Sequence, residues 1–186
     1  GRSQILLQAK DDMTEVTNIY YSLDGNTYKI YRYPLKGSAL SEGEHTLTYY
    51  SIDKVKNKEE EKQFSFFVDK TPPRVVEEIM GNSFIANGKE YISGRNRLKL
   101  ISIDNKAGVK EVKYSFNNST FKTYSQPFNL SQGGSLNIET LAIDHVNNKR
   151  RSQKFTNRSH VTYVDISGPE LNHRFEGPVF ESKNTT

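Results

Sequence analysis

The sequence predicts an all-β protein made of two tandem β-sandwich modules. Short segments of alternating polarity separated by turn residues are typical of strands, and no sustained apolar pattern at helical spacing is present. Two similar stop signals lie at residues 68–73 and 164–169. Each begins with a hydrophobic residue and an aspartate and ends in proline. Because proline cannot donate a ladder hydrogen bond, each signal ends a strand. Two such ends in one chain indicate two modules.

The composition excludes several classes of protein. The 186 residues are 34% hydrophobic and 11% aromatic, which suits two thin cores of large side chains better than one large core. The absence of cysteine excludes disulfides, thiolate metal sites and cysteine nucleophiles. No stretch approaches the roughly 18 consecutive apolar residues of a membrane helix, so we expect no membrane insertion by this stretch of chain. The excess positive charge lies in residues 74–169, which carry 14 Lys and Arg against 8 Asp and Glu.

The first module is predicted to contain five strands. The clearest local signal is Asp24-Gly25, because glycine accepts the positive φ of a tight hairpin turn. Pro34 ends the return strand of this hairpin, and Asp53 ends the longest alternating segment. The five strands are expected at residues 5–10, 16–23, 28–31, 46–52 and 64–68.

The second module repeats the order of the first. Side chains of the same type recur 93 residues later in the chain, and 91 residues later after one connection that is two residues shorter in the second module. This recurrence along the whole module predicts an internal duplication. The matched pairs are Asp11 and Asp104, Tyr21 and Tyr114, Tyr28 and Phe121, Pro34 and Pro127, and Asp53 and Asp144.

The repeat sets the domain boundaries. We place the first module at residues 1–73, the second at 74–169, and a linker or the start of a further repeat at 170–186. The second module opens with a strand pattern at residues 74–79, for which residues 1–4 leave no room in the first module. We therefore expect the first module to lack its opening strand and to expose a sheet edge.

Three phrases carry a resemblance to a known family. They lie at residues 21–25, 42–53 and 68–73. They resemble the Ig-like repeats of large bacterial surface proteins, particularly an outer-membrane Ig-like repeat family of spirochaetes, and the resemblance covers residues 5–169. It implies a β-sandwich of about seven strands, export and display at the cell surface, and it implies no catalysis. The second module departs from the sequence pattern of the family at its hairpin, where Asn117-Asn118 replaces Asp24-Gly25.

Seven aspartates fall at predicted strand ends. A calcium site would gather six to eight oxygens in one place, whereas aspartates in turns ordinarily accept hydrogen bonds from nearby backbone N–H groups. The turn-capping interpretation is favoured, because no acids are spaced like a calcium loop. We therefore expect no cofactor and no metal ligand set, with calcium as the alternative. The seven residues are Asp11, Asp24, Asp53, Asp69, Asp104, Asp144 and Asp165.

The densest positive cluster is the candidate ligand-binding site. As a functional surface it would attract sulfated glycans or acidic proteins, whereas the favoured alternative is a solvated loop. Nucleic acid is not expected, because no stacking aromatic pattern accompanies the charge. The candidate residues are Lys149, Arg150, Arg151 and Lys154, with His145, Arg158 and His160 nearby in sequence.

Aromatic and histidine side chains suggest no catalytic site. Tyr20, Tyr33, Tyr49 and Tyr50 would form a contact surface if exposed in a row, but tyrosines more often cover a sheet edge. The four histidines lack metal-ligand spacing, and structural or surface roles are favoured for them. No nucleophile-elbow serine and no phosphate-binding glycine loop is present, so we expect no enzymatic activity.

These observations predict non-catalytic tandem Ig-like repeats of a bacterial surface protein. The repeats would act as a spacer, as an adhesion module for host or matrix components, or as both. The alternative is an accessory Ig-like or carbohydrate-binding module of a secreted carbohydrate-active enzyme. The expected location is extracellular or at the outer-membrane surface, with the periplasm as an alternative. Expected partners are host matrix proteins or acidic glycans and neighbouring repeats of the same chain.

Overall fold

The computed structural model describes residues 3–154, 161–174 and 176–177. These residues form strands and one short 3₁₀ turn at Gly37–Ala39, which confirms the predicted all-β class, and the sheets have a sandwich-like arrangement. Within the described residues, no helix has the length and apolar character needed to cross a membrane. The strands are β1 (Gln4–Ile5), β2 (Val16–Leu23), β3 (Lys29–Ile30), β4 (Leu35–Lys36), β5 (Gly43–Asp53), β6 (Lys62–Val68), β7 (Arg74–Met80), β8 (Ser83–Ala86), β9 (Lys89–Ser93), β10 (Arg97–Ile103), β11 (Val109–Phe116), β12 (Lys122–Thr123), β13 (Phe128–Asn129), β14 (Gly134–Ser135), β15 (Ile138–Asp144), β16 (Lys149–Lys154) and β17 (Val161–Asp165).

The N-terminal half (residues 3–69) contains one four-stranded antiparallel sheet in the order β3-β2-β5-β6. The pairing of β2 with β5 places Tyr21 opposite Tyr49. The two-residue strand β1 pairs only with β4. The strand predicted over residues 5–10 therefore forms only at its first residue, because no described strand lies beside the remainder to supply ladder hydrogen bonds.

The other strands predicted for this half are present. β2 has the predicted bounds, and β5 begins three residues earlier than expected. It does so because Glu44 and His45 continue the antiparallel ladder with Phe67 and Phe66 of β6. The return strand of the first hairpin is reduced to the two residues of β3.

The C-terminal half (residues 74–169) contains three sheets. Their orders are β13-β10-β7, β12-β11-β15-β16 and β14-β17-β9-β8. β17 runs parallel to β9, with Val164 opposite Ile92, and antiparallel to β14. The second sheet has the same sequence of neighbours as the sheet of the N-terminal half.

The two halves also share irregularities. The β2–β5 pair shifts register between Val16 and Asn18, and the β11–β15 pair shifts between Val109 and Glu111. Both hairpin turns have two consecutive residues with positive φ, namely Asp24-Gly25 in one half and Asn117-Asn118 in the other. Both asparagines tolerate this left-handed conformation, so the second turn forms without glycine. The internal duplication stays a prediction, which these shared features support.

The larger core lies in the C-terminal half. Tyr114, Phe116, Tyr124 and Phe128 are partly buried and pack against it. Within the described residues of the N-terminal half, only Leu47 and Val68 are buried hydrophobic side chains. The core residues of the C-terminal half are Ile92, Leu98, Leu100, Leu130, Leu136, Ile138 and Val164.

An open groove of about 450 Å³ accounts for the thinner core of the N-terminal half. Its walls come from residues 7–11, from β2 and β5, and from residues 57–59. On the corresponding side of the C-terminal half, β7 pairs with β10 along its whole length and contacts β15 and β16. Val75 and Ile79 of β7 pack against the core there.

Candidate functional site at the junction of the two halves

The junction between the halves is a short connection from β6 to β7. It contains Asp69, Lys70, Thr71, Pro72 and Pro73, and Pro73 is fully buried. Proline fixes its own φ and restricts the residue before it, so consecutive prolines leave the connection few conformations.

Asp69, at the end of β6, binds both neighbouring loops of the C-terminal half. Its carboxylate accepts hydrogen bonds from the backbone N–H of Thr71 (2.8 Å) and from that of Ala107 (3.0 Å). Its backbone carbonyl accepts a hydrogen bond from the side-chain amide of Asn148 (3.0 Å). Asp69 is only 6% exposed, so these bonds are shielded from water. One residue of the N-terminal half therefore holds the loop after β10 and the loop after β15.

A second set of contacts surrounds this centre. The Glu42 carboxylate accepts a hydrogen bond from the hydroxyl of Thr71 (2.6 Å) and forms an ion pair with Lys106. The ammonium group of Lys70 donates to the backbone carbonyl of Ser38 (3.1 Å). The ion pair again joins the two halves, since Glu42 precedes β5 and Lys106 follows β10.

Asp104 and Asp144 cap the two loops that meet Asp69. Oδ1 of Asp104 accepts from the backbone N–H groups of Lys106 (2.9 Å) and Gly108 (3.1 Å). Oδ1 of Asp144 accepts from the backbone N–H groups of Val146 (2.9 Å) and Asn148 (2.8 Å). The turn-capping role favoured from the sequence is therefore observed at both residues.

The other predicted strand-end aspartates also accept backbone hydrogen bonds. Asp53 repeats the arrangement of Asp144, because its Oδ1 accepts from Val55 (2.9 Å) and Asn57 (2.8 Å). Asp11 caps its turn in the same manner for Met13 and Thr14, and Asp165 for Ser167, whereas Asp24 accepts from Thr46 on β5 and not from its own turn.

Three of these capping carboxylates converge at the junction. One carboxylate oxygen from each of Asp69, Asp104 and Asp144 lies within 4.8 Å of the others. The sequence singled out all three residues but did not show that they meet, because they come from three different strand ends. The signal that could have identified them is the aspartate three residues before Pro72, which places a third acid beside the two loop acids.

The predicted basic cluster is distributed over both faces of an edge strand of the sheet. Lys149, Arg150 and Arg151 lie on β16, which pairs with β15. Because successive strand residues point to opposite faces, Arg150 lies on the other side from its two neighbours. The Arg151 guanidinium forms an ion pair with Glu139 and lies 5.3 Å from the ring centre of Phe121.

The rest of that cluster is only partly described. Lys154 is the last residue of β16, and His145 is exposed in the preceding loop. Arg158 and His160 lie outside the described residues. The described part therefore provides two cations on one face, one of which already contacts a buried carboxylate and an aromatic ring.

The tyrosines predicted as a possible contact surface pack against other side chains. Tyr20 stacks on Tyr50 at 5.2 Å between ring centres, and Tyr28 meets Tyr50 edge-on at 5.0 Å. The Lys58 ammonium lies 4.0 Å from the centre of the Tyr50 ring. Tyr33 is 79% exposed and has a separate position at the end of the hairpin. Tyr20 and Tyr50 therefore cover the sheet, as favoured from the sequence, whereas the exposed Tyr33 does not.

An ionisable pair between a buried histidine and an exposed aspartate was missed by the sequence analysis. His45 is 5% exposed, and its Nδ1 lies 2.7 Å from a carboxylate oxygen of Asp24. Its Nε2 lies 3.0 Å from the backbone carbonyl of Ser41. The carbonyl and then the carboxylate hold the proton on the ring and raise the pKa of His45 above 6.5. The Thr46 N–H and then His45 lower the pKa of Asp24 below 3.8.

Comparison with known proteins assigns no family to the chain. The resemblance to spirochaete surface repeats therefore stays a prediction based on residues 5–169. The conclusions about the junction depend on its hydrogen bonds, burial and charges alone. No protein-family model matches the chain, and no curated protein matches it.

Proposed function

We propose that this chain is a pair of non-catalytic tandem Ig-like repeats of a bacterial surface protein and that it acts as a spacer. In this role, each repeat is held at a fixed orientation to the next, so that an array of repeats extends as a stiff element. The observation that carries the proposal is the junction, where Asp69 accepts hydrogen bonds from two loops of the other half.

The strength of these contacts supports a fixed orientation. A hydrogen bond to a charged acceptor contributes about 1.5–3 kcal/mol, and a neutral one about 0.5–1.5 kcal/mol. The bonds from Ala107 and Asn148 to Asp69 therefore contribute about 2–4.5 kcal/mol together. The Glu42–Lys106 pair is about one third exposed on each side, so screening by water makes its contribution smaller. At about 1.4 kcal/mol per factor of ten, the observed orientation is favoured roughly 30- to 1,600-fold over one that lacks both bonds.

Adhesion has weaker support than the spacer role. A binding surface for acidic glycans requires several cations on one accessible face. The described part of the basic cluster divides its cations between two faces, and Arg151 is engaged by Glu139. We therefore place neighbouring repeats of the same chain first among the partners, and we place the protein outside the cytoplasm as its resemblance to surface repeats implies.

Rotational diffusion tests the spacer proposal. We expect ¹⁵N relaxation of the whole chain to give one common correlation time for amides of β5 and β15, because the two halves tumble together. A matched variant with Pro72→Gly and Pro73→Gly should give two shorter, separate correlation times. Independent tumbling of the two halves in the unsubstituted chain contradicts the proposal.

A binding panel separates the spacer from the adhesive role. The whole chain is tested against immobilised matrix proteins and sulfated glycans, beside a variant with Lys149, Arg150 and Arg151 replaced by glutamine. The spacer role predicts no saturable binding by either protein. Saturable binding that weakens with salt and in the variant would show that the C-terminal half is adhesive.

A further inference from the structure

We infer that Asp69, Asp104 and Asp144 form a divalent-cation site that selects calcium and bridges the two halves of the chain. The residues come from the end of β6, the end of β10 and the end of β15. Each offers a carboxylate oxygen, and the three oxygens lie within 4.8 Å of one another. The site does not depend on the spacer role, because a cation can bind there whether or not the halves tumble together.

First, two of the three carboxylates have a buried oxygen that accepts no hydrogen bond from the described residues. Oδ1 of Asp104 and Oδ1 of Asp144 are occupied by the N–H groups of their own turns. Oδ2 of each residue is buried and accepts no hydrogen bond. A buried carboxylate oxygen without a partner is costly, so most such oxygens in folded proteins have one. Asp104 and Asp144 thus each use one oxygen for the turn and leave the other for a ligand. Both oxygens of Asp69 accept backbone hydrogen bonds, from Thr71 and Ala107, so Asp69 would contact a cation through a further lone pair of its carboxylate.

The second step is burial and charge. Asp144 is fully buried and Asp69 is 6% exposed, so water screens their charges weakly. Three carboxylates at these distances repel one another. None of the ion pairs among the described residues includes any of the three, and the nearby Lys106 pairs with Glu42. A bound cation would supply the positive charge that the protein side chains around the cluster do not.

The third step is the type of cation. The cluster offers only carboxylate oxygens, which suit hard cations, whereas zinc and copper sites in proteins usually include imidazole or thiolate ligands. Calcium accepts six to eight oxygens at about 2.3–2.6 Å, so two of its ligands lie at most about 5 Å apart, which suits the observed spacing. Magnesium typically takes one or two carboxylates and keeps several waters. Three convergent carboxylates therefore favour calcium, with water completing the shell.

The N-terminal half contains a natural control. Asp53 caps its turn with the same two bonds as Asp144. Its Oδ2, however, accepts hydrogen bonds from Thr14 (3.0 Å) and Asn57 (2.9 Å). Asp53 therefore has the same local role as Asp144, but it has no free buried oxygen.

The test is a calcium titration of the whole chelator-treated chain by isothermal calorimetry. The titration extends to about 10 mM, above the roughly 10⁻⁴–10⁻³ M range of dissociation constants found for extracellular calcium modules. We expect one saturable site per chain. Asp104→Asn and Asp144→Asn should each weaken binding at least tenfold, because asparagine keeps the Oδ1 cap and replaces the free oxygen with an amide. Asp53→Asn should leave the affinity within twofold.

A melting experiment that needs no variant accompanies the titration. Calcium should raise the melting temperature of the unsubstituted chain, and excess chelator should reverse the increase. Absence of saturable heat together with an unchanged melting temperature overturns the site, as does equal loss of affinity in Asp53→Asn. Magnesium binding as tight as calcium overturns the choice of calcium. Separate tumbling of the halves with intact calcium binding would reject the spacer role alone, and common tumbling without calcium binding would reject the site alone.

Discussion

Replacement of Tyr114 by alanine tests the packing of the C-terminal half. The Tyr114 ring stacks on Phe128 at 4.5 Å and meets Phe116 edge-on at 5.4 Å. Truncating a large, fully buried aromatic side chain costs about 3–5 kcal/mol. Tyr114 is only partly buried, but each of its two ring contacts adds about 0.5–1.5 kcal/mol beyond area burial. We therefore expect Tyr114→Ala to lower the free energy of unfolding of this half by about 2–4 kcal/mol.

Tyr21 provides the matched control in the N-terminal half. It occupies the position predicted to correspond to Tyr114, but among the aromatic rings of the described residues its ring meets only Tyr31, edge-on at 6.2 Å. We expect Tyr21→Ala to cost about 1–2 kcal/mol, because fewer contacts are lost.

Urea titration with amide hydrogen exchange is the assay for both variants. Exchange at β11 and β15 reports the C-terminal half, and exchange at β2 and β5 reports the N-terminal half. Each variant should therefore lower protection mainly in its own sheet. A loss below about 1 kcal/mol for Tyr114→Ala, or one smaller than that of Tyr21→Ala, would refute the packing account.

Two further predictions concern local features of the fold. The pKa of His45 is raised in the folded chain, so the stability that the protonated ring contributes is fully present below about pH 6.5 and decreases as the pH rises through its folded pKa. The pKa of Asp24 is lowered, so the stability that its carboxylate contributes is lost as acid protonates it below about pH 3.8. The melting temperature of the N-terminal half should therefore fall as the pH rises above about 6.5, and His45→Leu should remove this dependence; a fall that persists in the variant would reject the assignment. Gly81 has a φ of +136°, and a Cβ there would lie 2.3 Å from the side chain of the buried Asn96, so Gly81→Ala should cost about 1–3 kcal/mol in calorimetry. Gly168→Ala is the control, because a Cβ at that position meets nothing within 4 Å, and equal effects of the two changes would contradict the structure.

Local features of the fold were predictable from the sequence. The Asp24-Gly25 turn and the capping role of Asp53 each depend on residues within a few positions of one another. The strand over residues 16–23 follows from its alternating polarity alone. The prediction of a strand over residues 5–10 was wrong beyond its first residue. A strand needs a neighbouring strand, and sequence polarity does not reveal whether one is present.

Features built from distant residues could not be predicted. The contact of Asp69 with Ala107 joins residues 38 positions apart, and the contact with Asn148 joins residues 79 positions apart. The pair between His45 and Asp24 depends on the antiparallel pairing of β2 with β5, which brings two strand ends together. Composition and spacing identify such side chains as candidates, but only the folded chain shows which of them meet.

The distance between spin labels on the two halves tests the fixed junction most directly. The chain has no cysteine, so Lys29→Cys and Lys122→Cys introduce two unique labels, at exposed positions of β3 and β12. Pulsed electron-spin resonance on the doubly labelled chain should give one narrow distance distribution. The same labels in the Pro72→Gly, Pro73→Gly variant should give a broad one. An equally broad distribution in the chain with both prolines would contradict the account, because the two halves would then move freely.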